Sequence, residues 1–471
     1  MKRIAKWLGG LVIVALLGAA VWLAVAPPAM IRVATNYAAK IVCSNVFIAG
    51  RSPEAVMATD VQAPGHPIFK AINVAVDRTA SPPRVTARLL GFSGTGEAVW
   101  RGERLGCSSL PEGEIADASM PDGVSREPVT GAADKLWPEG ERVDPSQAPE
   151  IADILDDSAL GGPGMRAIVV VHGGRIIAER YGEDFGPQTP LLGWSMTKTV
   201  TAAILGTLVK DGRLSLDRTG LFQSWDGSAR ADISLASMLE MSSGLAWNEG
   251  YGTVSDVTRM LYLEPDMAAY AASKPYDPEN GNPDGDSRFN YSSGTSVMLS
   301  DVWMRAVEAP VSYPWRALFD PLGMSSATFE MDAAGTFVGS SYMYATARDW
   351  ARFGQLLLQR GAWNGRSLLP SGFVDWMTEP ASASETAWGG HAYGRHVWLV
   401  GPRGSVPRGE DPEAAFDLPA DTFWLRGHDG QTVTVIPSRD LVVVRMGLTP
   451  SDRNYQPQGL VDALVKALAG Q

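Results

Sequence analysis

Ser195 and Lys198 are the first residues in this 471-residue chain whose types and spacing suggest joint chemistry. They lie in Gly193-Trp194-Ser195-Met196-Thr197-Lys198, and the following run, Thr199–Val209, is apolar almost all round. Such a run reads as a helix buried in a core. Residues three apart on a helix share a face, so hydroxyl and amine would sit one above the other. A lysine on a buried first turn is costly unless its charge is partnered or its pKa falls. Beside a serine, a lysine tuned in that way can activate a weak hydroxyl nucleophile. The alternative is a capping serine and a lysine that snorkels to water.

Two further segments must converge on Ser195 if it is to act. One is Tyr291-Ser292-Ser293, with Phe289-Asn290 before it and Gly294 after it. The other is His428-Asp429-Gly430-Gln431, between two predicted strands. With Ser-x-x-Lys first, the order resembles the serine β-lactamase and penicillin-binding-protein superfamily, which follows Ser-x-x-Lys with Tyr-x-Asn or Ser-x-Asn and then Lys-Thr-Gly or His-x-Gly. The resemblance spans roughly residues 160–450. Met238-Leu239-Glu240-Met241-Ser242-Ser243-Gly244-Leu245, Pro321-Leu322-Gly323-Met324 and Thr346-Ala347-Arg348-Asp349 are similar to further landmarks of that family. The tyrosine of the second motif is similar to class C β-lactamases and their relatives, among them carboxylesterases, D-aminopeptidases and 6-aminohexanoate-dimer hydrolases.

The resemblance implies Ser195 as nucleophile, Lys198 as its neighbouring amine and Tyr291 as general acid/base, its phenol pulled down from about 10 by adjacent cations. Ser293, His428, Gly430 and Gln431 become substrate-binding positions, with the backbone N–H groups of Ser195 and Gln431 holding the carbonyl oxygen. Two departures bear on substrate. Ser293 shortens the side chain where Asn is common. His428 stands where Lys is usual and replaces a fixed positive charge by one that depends on pH. Both favour an ester or amide substrate over a carboxylate-bearing β-lactam. The expected function is a serine hydrolase working through an acyl-enzyme. The alternatives are a D,D-peptidase or β-lactamase, or a non-catalytic binding or sensor domain of the same fold. Outside the family argument, Tyr291 would be a core aromatic and His428 a hydrogen-bonding residue of the sheet.

The remaining chemistry is sparse. His172-Gly173-Gly174 and Lys210-Asp211-Gly212 fall in turns. His66, His391 and His396 show no metal spacing, and no metal or cofactor is expected; His391 and His396 either line a pocket or decorate a loop. Most tryptophans, Trp194, Trp247, Trp363, Trp388, Trp398 and Trp424 among them, belong to the core, with one or two walling a cleft.

The elements that position these residues read as one α+β unit over residues 151–471. Met165–Val171, a turn and Arg175–Tyr181 form a hairpin. Thr422–Arg426, Thr432–Ile436 and Leu441–Met446 return as strands near the C-terminus, and Gly459–Leu468 closes as a helix. Strands from both ends build a mostly antiparallel sheet flanked by helices, carrying an inserted all-helical lobe over about 214–344. Residues 31–150 form a small β-containing region, with strands at Ala71–Asp77 and Arg84–Leu90. From Pro111 to Pro149 it continues as a linker or extended wrap.

Forty-five per cent apolar content supports a large core, and a net charge of −12 argues against nucleic-acid binding. Lys2, Arg3 and Lys6 precede Trp7–Ala26, an uncharged run of about 30 Å as a helix. The first acidic residue is Glu54. Residues 1–30 therefore read as a transmembrane anchor with its basic end cytoplasmic and the catalytic region periplasmic. A cleaved signal peptide ending at Ala24-Val25-Ala26 competes, although Pro27 would follow the cut. Cys43 and Cys107 are the two cysteines, and outside the cytoplasm they are expected to pair as a disulfide that pins the small region, the alternative being two buried thiols. Substrate identity and oligomeric state are not legible from sequence.

Overall fold

The computed structural model describes residues 2–63, 65–111, 113, 115–116, 134–277, 289–381 and 393–469. Helix α1 (Lys2–Val25) holds most of its large apolar side chains in the open, with Leu23 partly packed on the body, and its stretch Lys6–Val25 is long and apolar enough to cross a membrane. After Pro27-Pro28 the chain forms α2 (Ala29–Phe47), a helix absent from the sequence reading. Its polar residues Thr35, Asn36, Lys40, Ser44 and Asn45 are buried along with its apolar ones, so no amphipathic period marks it.

α2 packs on an antiparallel sheet of β1 (Ile72–Asp77), β2 (Arg84–Leu89), β3 (Ser93–Trp100) and β4 (Cys107–Ser109), in that order. A disulfide, Cys43–Cys107, ties α2 to β4 across a separation of 64 residues. α2 also reaches the main body. Lys40 Nζ lies 2.5 Å from Glu330 Oε2 and 2.8 Å from Ser44 Oγ, and Ser44 Oγ donates to Glu330 Oε1 at 2.7 Å. Lys40 and Glu330 are both sealed from solvent.

The main layer follows from strand alternation. β5 (Met165–His172) and β6 (Arg175–Tyr181) join β7 (Phe423–Gly427), β8 (Gln431–Ile436) and β9 (Leu441–Gly447) in an antiparallel sheet of order β7-β8-β9-β5-β6. Alternate side chains face opposite ways. Val169, Val171, Val433 and Val442 therefore enter one core with the helices α4 (Thr197–Lys210), α6 (Ser293–Arg305) and α7 (Ala347–Leu358). Ile168, Val170 and Val443 enter another with α3 (Pro149–Asp156) and α8 (Gln458–Ala469).

The inserted lobe contains α5 (Asp256–Leu263) and α6, but it is not all-helical. Thr328–Phe329 and Met343–Ala345 pair there, and Met343–Ala345 also pairs with Leu191–Leu192. Strands of two or three residues are too short to display alternation, so tertiary pairing alone defines them. Within the expected linker, residues 112, 114 and 117–133 lie outside the described set. The part after them wraps onto the main body: Trp137 is buried, and Arg352 donates to the Gly140 carbonyl and the Glu141 carboxylate.

Candidate active site

The site begins with a strained turn. Trp194–Met196 is a single 3₁₀ turn leading into α4, and Trp194 takes the left-handed φ of +48°. That backbone costs about 1–2 kcal/mol for a side chain of this kind, and its ring is clamped by Tyr342 and His428, at centroid distances of 6.0 and 5.7 Å. The turn presents Ser195 at the mouth of α4, whose first turn carries Lys198, 1% exposed.

Lys198 Nζ has three neighbours: Ser195 Oγ at 3.1 Å, Ser293 Oγ at 3.0 Å and the Ser340 carbonyl at 3.1 Å. Hydrogen-bond bookkeeping orders them. A carbonyl only accepts. Ser293 spends its proton on Glu249 Oε1 at 2.5 Å, and its backbone N–H also meets that carboxylate, at 2.9 Å. Trp247 Nε1–H donates to Glu249 as well, at 2.6 Å. Ser293 therefore faces Lys198 as an acceptor. Two of the amine's positions are committed to acceptors, and the third points at Ser195, where a proton can pass in either direction.

Tyr291 precedes α6, whose N-cap is Ser292. The adjacent Asn290 ties this loop to the Met241 and Trp247 backbone. The Tyr291 ring centroid is 4.8 Å from Lys198 Nζ and packs against Trp398 at 5.2 Å. Ser195, Glu249, Tyr291, Trp398, Arg426 and His428 line a common cavity of about 480 Å³. Segments remote in sequence thus line one cavity with Ser195.

The third motif is placed differently from its fellows. His428-Asp429-Gly430 forms the hairpin turn between β7 and β8, with Asp429 and Gly430 at φ +56° and +82°. His428 stacks on Tyr251 at 4.9 Å, and Gly430 lines the cavity while its carbonyl accepts from Arg445. Gln431 sits on the second strand, opposite Gly427, and its side-chain amide is buried against Gly447. The strand that abuts the Ser195 turn is β7. A Cβ on Gly427 would lie 2.2 Å from the Gly193 carbonyl oxygen, which only glycine allows.

Sequence reasoning passed over two residues. Glu249 lies just past the family-like stretch 238–245, and no spacing flags it. Arg426 lies two residues before His428 and could have been found by alternation along β7. Its guanidinium stacks 4.2 Å from the Trp398 ring centroid and donates to the Val400 carbonyl. Burial draws it down to about 10, against the opposing pull of Tyr291 and Glu413. Arg426 and Tyr291 thus share the Trp398 ring as a neighbour and line one cavity. His396, expected at a pocket or loop, is buried at the core, where Nε2 meets Ser296 Oγ and Nδ1 the Leu239 carbonyl, both at 2.9 Å. His391 and Trp388 lie outside the described residues.

Residues 155–463 match the family model described as Beta-lactamase. The chain belongs to the beta-lactamase family. A curated relative of this beta-lactamase-family serine hydrolase is the 6-aminohexanoate-dimer hydrolase of Paenarthrobacter ureafaciens. The two are 23% identical over 322 residues, 64% of this chain and 76% of the relative. Among solved structures, a penicillin-binding protein homolog from Caulobacter crescentus superposes with a TM-score of 0.52 at 15% identity, covering 69% of this chain and 99% of the other. EstCE1, a hydrolase with promiscuous acyltransferase activity, gives a TM-score of 0.51 at 15% identity, covering 67% and 98%. Those likenesses carry the mixed α+β fold of the β-lactamase and transpeptidase type. The apolar N-terminal helix, a signal or an anchor, and the disulfide together point to a location outside the cytoplasm.

Proposed function

We propose that the protein hydrolyses an ester or amide of a small molecule or peptide through an acyl-enzyme on Ser195. The observation that carries this reading is the 3.1 Å approach of Lys198 Nζ to Ser195 Oγ, with the amine's other two neighbours acting as acceptors. Lys198 takes the Ser195 proton as the hydroxyl attacks the substrate carbonyl. Tyr291, on the same cavity wall, delivers a proton to the leaving group, and water then releases the acyl group. The Ser195 N–H, Gly427 at the end of β7 and His428 in the turn after it flank the place where the oxyanion would form. Ser293 acts through Lys198, and Glu249 through Ser293. The relationship to a 6-aminohexanoate-dimer hydrolase supports amides among the substrates.

A second reading, a D,D-peptidase or β-lactamase, draws on one observation. Arg426 places a permanent positive charge in the cleft, where a substrate carboxylate would be welcome. Turnover of p-nitrophenyl esters, D-amino-acid amides, linear amide dimers and nitrocefin decides between them. Ester or linear-amide turnover with slow nitrocefin hydrolysis supports the first reading. Nitrocefin turnover at rates typical of a dedicated β-lactamase would overturn it.

We further propose that residues 6–25 are retained as a single-pass anchor, with the catalytic region on the periplasmic face.

A further inference from the structure

The hairpin between β2 and β3 ends in Leu90-Gly91-Phe92, and this tip is built against expectation. Leu90 is 59% exposed and Phe92 45%. Leu90 also holds the left-handed φ of +53°, a conformation that glycine or asparagine would adopt at lower cost. Single exposed apolar residues are ordinary. A strained leucine next to an open phenylalanine serves neither solubility nor the turn. Outside α1, the other large exposed apolar side chains among the described residues are Tyr251, Val254 and Tyr276, all in the inserted lobe.

What lies beside the tip identifies its partner. Ser93, the residue after Phe92, donates its hydroxyl proton to the Leu23 carbonyl at 2.7 Å, inside the apolar span Lys6–Val25. Gly94, at φ +57°, lets the strand close onto Ile31 and Pro27: a Cβ there would fall 2.6 Å from Ile31 Cγ2. At about 1.5 Å per residue, Leu23 lies only about 3 Å inside the end of the helix. Phe92 is thus held at the level where the span leaves the hydrocarbon. Charge fits the same partner. Lys70 and Arg88 flank the tip in exposed positions, and Asp77, the one acidic residue between Ala63 and Gly96, lies at the far end of the hairpin, opposite Arg84.

We infer that Leu90 and Phe92 dip into the outer interface of the bilayer that holds α1, with Lys70 and Arg88 meeting anionic headgroups, as a second membrane contact that fixes the orientation of the domain. This rests on the reading of residues 6–25 as a retained anchor. The test uses the full chain, disulfide closed, in vesicles of phosphatidylethanolamine and phosphatidylglycerol. An environment-sensitive NBD label is attached to Phe92→Cys or, as control, to Arg366→Cys on another exposed hairpin. The label at position 92 should be at least about twofold brighter than the control and quenched by lipids carrying a shallow nitroxide, whereas the label at 366 stays dim and unquenched. A label at 92 as dim and unquenched as the control, on protein that floats with the vesicles, overturns the inference and leaves the anchor standing. Protein recovered free of vesicles without residues 1–26 overturns both.

Discussion

At the scale of single residues, the arrangement turns on which atoms around Lys198 can donate. Glu249 takes three donors, from Trp247 and from the side chain and backbone of Ser293, and so fixes the sense of the Ser293 hydroxyl. Glu249→Gln introduces an amide that can donate back. Acylation should slow by about ten- to a hundredfold with KM little changed; a change in KM alone would reassign Glu249 to substrate binding. Ser195→Ala should abolish turnover, and Tyr291→Phe should slow acylation by orders of magnitude. Near-wild-type rates would remove either residue from its role. His396 gives a pH-linked expectation. Burial, the dominant cause, lowers its folded pKa from 6.5 to about 3, so the unfolded chain binds an extra proton between those values. The stability that neutral His396 contributes is full above pH 6.5 and is lost as pH falls toward 3, by up to about 1.4 kcal/mol per pH unit. His396→Asn, where Asn accepts the left-handed φ of +58°, removes that term. Urea titrations should show wild type losing ground to the variant on acidification; parallel curves would refute the linkage. Ser195 and Lys198 were legible because one helical turn spaces them. Glu249 was not, because a loop brought it to Ser293 and no period describes a loop.

At the scale of elements, the strands and helices of the main body were readable as apolar runs bounded by turn residues, buried without a break from Thr197 to Leu208 in α4 and throughout β8 and β9. α2 was not, since it is enclosed by the β1–β4 sheet on one side and the lobe on the other, and five of its buried residues are polar. Such burial is tolerable only with partners. Lys40, Ser44 and Glu330 supply one another's, with the Cys107 N–H completing Glu330 Oε1 at 2.7 Å. Lys40→Met should therefore cost about 3–5 kcal/mol by stranding Glu330, and adding Glu330→Leu should restore much of the loss. Denaturant unfolding of the two variants measures it, and equal stability of Lys40→Met and wild type would show that the pair carries no such weight. The short strands Thr328–Phe329 and Met343–Ala345 mark the other limit of sequence reading, because their existence depends on Leu191–Leu192 lying alongside.

At the scale of the whole molecule, the family match begins at residue 155, yet the chain before it is no appendage. Tyr37, Ile41 and Asn45 of α2 line a small cavity of about 30 Å³ with Trp194, Asp429 and Gln431, directly behind the Ser195 turn. Asp60 bridges Arg51 and Arg166 across the same boundary. With an uncleaved anchor, the intact chain should sediment with membranes and resist extraction by high salt or carbonate; recovery as a soluble species lacking residues 1–26 would contradict it. The composition indicated a span and a disulfide, whereas the seating of the first hundred residues against the catalytic body arose only from the fold.

The join between α1 and α2 sets the working distance. Two prolines and one alanine are too few and too stiff to act as a leash. If the anchor stays, the cleft rides at a constant height over the lipid, like a tool bolted to a bench, and its substrates must come to that height to be cut.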